Sequence, residues 1–178
     1  MWSLQAIDPV NESSSMKRHI SKLLALFVFV PFLLRNGKDT QTARIGALLK
    51  HVHETKPNAK VGYVGFCWGG RFALTMNSQF DATVACHPSL VDFPGELSGI
   101  TRPISFAIAE TDQHYGVEKA VETEKILRAK GQSFEVVVYK GVQHGWTIRA
   151  NMGDIEKKAA RDKAKEQVVG WFEQHLLV

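Results

Sequence analysis

Short, unbroken apolar runs alternate along this chain with longer stretches in which apolar residues return every three or four positions. After Asp39, the residues Ile45, Leu48, Leu49 and Val52 fall on one helical face, with Thr40 placed to cap the helix and Pro57-Asn58 to end it. Val61-Gly62-Tyr63-Val64 reads as a strand, and Arg71 to Asn77 as the helix that follows it. Ala82 to Cys86, Ile104 to Ala109 and Phe134 to Tyr139 are further strand runs, and Val117 to Lys130 and Asp154 to Leu176 are helices. Alternation of this kind predicts an α/β fold, a mostly parallel sheet with helices on both faces. Neither an internal repeat nor an interdomain linker interrupts it, so one domain over residues 1–178 is expected.

The first residues do not follow this pattern. Met1 to Ser15 is polar, and residues 1–20 are expected to be poorly ordered. The apolar run Leu23 to Leu34 is shorter than the roughly twenty residues that span a bilayer, so stable membrane insertion is not expected. Basic Lys17-Arg18 ahead of it gives residues 16–34 the look of a signal-peptide core, but no small-residue cleavage site follows. Secretory targeting is therefore the lesser expectation and a cytoplasmic location the main one. The plain alternative is a helix capped by Ser21 or Ser15, or a segment packed across the sheet's functional edge.

Composition narrows the function classes. Of 178 residues, 44% are hydrophobic and 22% charged, which is ordinary for a globular domain with a sizeable core. The formal charge of +4 is modest, and its basic residues are interspersed with acidic ones between Asp154 and Glu166, the pattern of a solvated helix face. Without basic residues interleaved with aromatic ones, nucleic-acid binding is not expected. His51 and His53 stand two apart on a helix and point away from each other, so no metal site is expected there, and no cofactor elsewhere. The two cysteines, Cys67 and Cys86, suit a reducing compartment. Cys86 reads as a buried strand residue, although a disulfide to Cys67 would silence the latter.

Chemistry concentrates after the strand at Val61. In Gly65-Phe66-Cys67-Trp68-Gly69-Gly70 a thiol stands between glycines at −2 and +2, the layout of a nucleophile held on a sharp strand-to-helix turn. The helix N-terminus beneath it favours a thiolate. A buried structural cysteine has no need of both glycines. Asp112, past the strand that ends at Ala109, and His144, past the strand that ends at Tyr139, complete the chain order of nucleophile, acid and histidine. All three positions follow strand C-termini, the edge where open parallel sheets gather their functional groups. Ser89 and Ser105 lack flanking glycines, which argues against a serine-type esterase.

These motifs carry a resemblance. Gly65-Phe66-Cys67-Trp68-Gly69-Gly70-Arg71, Cys86-His87-Pro88-Ser89, Ala109-Glu110-Thr111-Asp112 and Gln143-His144-Gly145-Trp146 together resemble the dienelactone hydrolase family of the α/β-hydrolase superfamily, most of all its fungal branch, over about residues 31–178. The resemblance implies a Cys67, Asp112 and His144 triad, with Trp68 N–H in an oxyanion hole. It also implies a small ester or lactone as the partner molecule, cleaved through a thioester. Arg71 and Arg149 are the guanidiniums available for a substrate carboxylate, His87 and His114 lie in loops near the expected pocket, and Trp68 and Trp146 are candidate apolar walls. The family pattern places early strands and one oxyanion-hole loop ahead of the elbow, and the segment before Val61 offers little room for them. The expectation is thus a domain lacking its N-terminal strands, with weakened activity and a sheet edge open to homodimerisation. The alternative from another class is an inactive family remnant that serves as a binding protein.

Overall fold

In a computed structural model, residues 27, 30–32 and 34–177 of the chain are described. The expectations for residues 1–20, for a cap at Ser15 or Ser21 and for the start of the apolar run at Leu23 lie outside them. The chain divides into two compact units, Met1–Pro57 and Asn58–Val178.

In the first unit, residues 30–32, 34 and 35 are helical, and helix α1 runs Lys38–Thr55. It starts three residues earlier than a cap at Thr40 would have it, with Gly37 at the cap position and no side-chain cap. Just ahead of the helix, the Asn36 side-chain oxygen accepts from the side chains of Gln41 and Arg44. Of the expected stripe, Leu49 is buried and Ile45 and Val52 partly so, whereas Leu48 is exposed.

The second unit is built on four strands, β1 Gly62–Phe66, β2 Ala82–Cys86, β3 Ile104–Thr111 and β4 Phe134–Gln143, all parallel and in the order β1-β2-β3-β4. Between them lie a one-turn 3-10 segment Cys67–Gly69 that leads into α2 Gly70–Thr75, and α3 Val117–Ala129. After β4 come the short α4 Trp146–Arg149 and the long α5 Ile155–Leu176, which Asp154 caps by accepting from Lys157 N–H. Strand periodicity sorts the core into two clusters. Ala85, Ile104, Phe106 and Ile108 face Leu74 of α2 and Leu127 of α3, while Ala82, Val84, Cys86, Ala107 and Ala109 face Trp171 of α5. The two crossover helices share one face because every crossover steps the same way across the sheet with the same hand. The fold is α/β with helices on both faces. Among the described residues no helix is long and apolar enough to cross a membrane.

Candidate active site

The turn after β1 is as sharp as its glycines suggest. Cys67 has φ of 53°, a left-handed conformation unfavourable for a residue with a Cβ and found chiefly where the surroundings enforce it. Gly65 makes the turn possible, since a Cβ there would lie 2.1 Å from the Gly69 carbonyl oxygen. Gly69 does not have the clearance role its spacing suggests: a Cβ on it would meet nothing closer than the Tyr63 hydroxyl at 3.9 Å. That hydroxyl donates to the Gly69 carbonyl instead, tying the turn to β1.

Sheet register sets the neighbours. Phe66 pairs with Cys86, so Cys67 and His87 leave adjacent strands at one level, and Cys67 N–H donates to His87 Nδ1 at 3.2 Å. Thr111 pairs with Gln143 beyond a bulge, so Asp112 and His144 also emerge side by side. His144 Nδ1 lies 2.8 Å from Asp112 Oδ2, and its Nε2 lies 3.1 Å from Cys67 Sγ. The structure thus brings together the three residues the sequence singles out.

Their electrostatics follow from these contacts. Burial alone would raise the Asp112 carboxyl, but His144 and the backbone N–H groups of His114 and Tyr115 bond to it and hold it below the usual range. Burial would lower His144, yet its bonds to Asp112 and Cys67 carry it up to about 9. Burial would raise Cys67, and hydrogen bonds from His144 and Ser89, the charge of His144 and the Trp68 N–H bring it down to about 7. Both shifts move the pair toward a thiolate beside an imidazolium.

Residues 29–176 match the dienelactone hydrolase family. The chain belongs to that family. It is similar to the hydrolase tropI of Talaromyces stipitatus, 34% identical over 66% of this chain and 46% of that protein. It is also similar to the dienlactone hydrolase 1 of Gibberella moniliformis, 26% identical over 64% of this chain and 44% of that one. The chain therefore spans about half the length of the curated relatives it matches. Its fold is that of an esterase of Pyrococcus furiosus, with a TM-score of 0.60 at 16% identity over 78% of this chain and 63% of that one.

The other residues singled out in this dienelactone hydrolase family chain have internal partners. Arg71 forms a two-pronged ion pair with Glu96, so its guanidinium is already matched to a carboxylate. His87 is fully buried with both ring nitrogens engaged, and no face of it is open to a substrate. Trp146 is buried against His87 and Tyr139, which places it in the core beneath the site. Arg149 lies over Gly145, whose φ of 88° and missing Cβ leave room for the guanidinium, and donates to the His144 carbonyl at 3.4 Å. His114 stands edge-on to His144 with centroids 5.0 Å apart. Cys86 is buried and, like Cys67, free of any disulfide; burial pushes its thiol up to about 12. Two participants escape sequence reasoning. Ser89 Oγ lies 3.5 Å from Cys67 Sγ while its N–H donates to the Cys67 carbonyl, and Thr147 Oγ1 lies 2.6 Å from His87 Nε2. Only the conjunction of the Cys86-His87-Pro88-Ser89 motif with the elbow hinted at the first, and nothing marked the second.

Proposed function

We propose that this chain is a hydrolase of small esters or lactones in which Cys67 is the nucleophile. The observation that carries the reading is the continuous chain of contacts from Sγ of Cys67 through His144 to the enclosed carboxylate of Asp112. The thiolate attacks the acyl carbon, the carbonyl electrons move to oxygen, and Trp68 N–H is the donor at hand for the oxyanion. As the intermediate collapses, the C–O bond breaks and His144 passes its Nε2 proton to the departing alkoxide, leaving a thioester on Cys67. Acylation removes the thiolate charge that helps to raise His144, so the imidazole becomes a base for the incoming water. Water attack and loss of the thiolate release the acid, and the proton retained on Nε2 restores the resting pair. Asp112 holds the imidazole in the tautomer that presents Nε2 to sulfur. The scheme closes without a metal or cofactor. Arg149, at the rim beside His144, is the guanidinium suited to a carboxylate on the substrate.

The test is turnover of p-nitrophenyl acetate and of a dienelactone by the purified chain beside Cys67→Ala, with iodoacetamide labelling of each. Turnover and fast labelling that disappear together in Cys67→Ala are expected, because Cys86 is buried and its thiol stays protonated. A folded, monodisperse chain that neither turns over nor labels overturns the proposal.

A further inference from the structure

His87 is a titratable group in the site that the proposed chemistry does not use, and it is fully buried. A backbone N–H can only donate, so Nδ1, which receives the Cys67 N–H, carries the lone pair and the ring proton sits on Nε2. That proton is donated to Thr147 Oγ1 at 2.6 Å. The ring also stands edge-on to His144, with centroids 4.9 Å apart, and the backbone N–H of His87 donates to Ala107 O of β3. One imidazole thus joins the elbow after β1, the end of β2 and the short helix that follows His144.

We propose that His87 is a positioning residue: its neutral ring, strung between the Cys67 backbone and Thr147, fixes the nucleophile elbow at the height where the thiol meets His144. The inference rests on the reading of Cys67 as the nucleophile. A protonated ring would lose its acceptor for Cys67 N–H and would set a second cation against His144. Burial and the charge of His144 oppose that protonation and hold His87 down to about 3. Asp112 pulls the other way and Arg149 with His144, while the remaining ring neighbours, Phe66 and Trp146, are uncharged. The groups that lower the thiol directly are His144, Ser89 and the Trp68 N–H, and His87 is not among them.

The experiment is the pH dependence of iodoacetamide alkylation of Cys67 in the full chain, compared among wild type, His87→Leu, His87→Asn and Thr147→Val, with circular dichroism to confirm folding. The wild-type midpoint is expected near about 7. In His87→Leu the Cys67 N–H is orphaned and the thiol swings off His144, so the midpoint rises by about one unit. Asparagine tolerates the left-handed φ of 37° at this position and offers an oxygen where Nδ1 stood, so His87→Asn restores the wild-type midpoint. Thr147→Val shifts the midpoint upward, as it takes the acceptor from Nε2–H. A folded His87→Leu with a wild-type midpoint overturns the proposal, and so does an asparagine variant that behaves like leucine. Should His87→Leu not fold, Thr147→Val decides, and an unmoved midpoint there overturns it. A wild-type chain that alkylates only in the ordinary thiol range sinks the nucleophile reading and this inference with it, whereas a low wild-type midpoint with unmoved variants sinks the inference alone.

Discussion

Replacing Asp112 by asparagine isolates the electrostatic part of the site. Asp112 Oδ1 accepts from the N–H groups of His114 and Tyr115, so asparagine keeps its oxygen there and turns its NH2 toward His144 Nδ1. Facing a donor, Nδ1 must carry a lone pair, and the ring proton moves to Nε2. The imidazole then has no lone pair for the Cys67 proton, and the thiol returns from about 7 toward its ordinary 9.0. At pH 7 the thiolate fraction falls from half to about one in a hundred, but a more basic thiolate is roughly six- to ten-fold more nucleophilic. The net loss of alkylation rate at pH 7 is thus only about five- to eight-fold, while the high-pH plateau rises. The discriminating measurement is therefore the whole pH profile, whose midpoint moves up by about two units. Ester turnover should rise through about 7 as Cys67 ionises and fall through about 9 as His144 loses its proton. Asp112→Asn should lower turnover by about 100- to 10,000-fold. An Asp112→Asn chain that is folded and still alkylates with its midpoint near 7 refutes the reasoning.

Three further predictions concern the frame around these residues. Gly65→Ala drives a Cβ into the Gly69 carbonyl and should cost several kcal/mol in thermal denaturation, whereas Gly69→Ala, with open space at the new atom, should melt within a degree or two of wild type. Arg71→Met leaves the largely buried Glu96 carboxylate without its guanidinium and should lower stability by about 1–3 kcal/mol, without changing the ratio of KM for anionic and neutral esters. Arg149→Met should instead lower kcat/KM for an ester bearing a carboxylate about tenfold relative to a neutral one; equal losses on both would reduce Arg149 to a support for the Gly145 turn.

Strand positions were legible because alternation leaves few choices. The apolar residues of β2 and β3 are sorted to opposite faces, as period two requires, and Cys67, Asp112 and His144 fall past the ends of β1, β3 and β4. Helix starts were less legible: Thr40 has the chemistry of a cap, but α1 starts from Gly37 with no side-chain cap at all. The internal partners of Arg71, His87 and Trp146 were not legible, for one physical reason. Nearness to a motif says that a side chain is close to the site, but not whether a partner inside the fold has already claimed it. Glu96, twenty-five residues from Arg71, and Thr147, sixty from His87, are partners that only the folded chain brings up.

The same distinction explains how the site is held. Two of its contacts come directly from sheet register: Cys67 with His87 just past the Phe66–Cys86 pair, and Asp112 with His144 just past the Thr111–Gln143 pair. These are as secure as the ladders that precede them, since slipping a strand by one residue would send each of its side chains to the wrong face of the sheet. The contact on which the chemistry turns is of another kind. β1 and β4 are separated by two strands, a span of about 14 Å at the usual spacing, and no ladder joins them. His144 crosses that span because β3 and β4 run on past the ends of β1 and β2, with a bulge that bends the overhang, and because the left-handed elbow turns Cys67 out to meet it. Neither device by itself fixes the sulfur at 3.1 Å from Nε2. A rigid cross-tie between the two ends is needed, and the buried link from Cys67 N–H through His87 to Thr147 is placed to supply it.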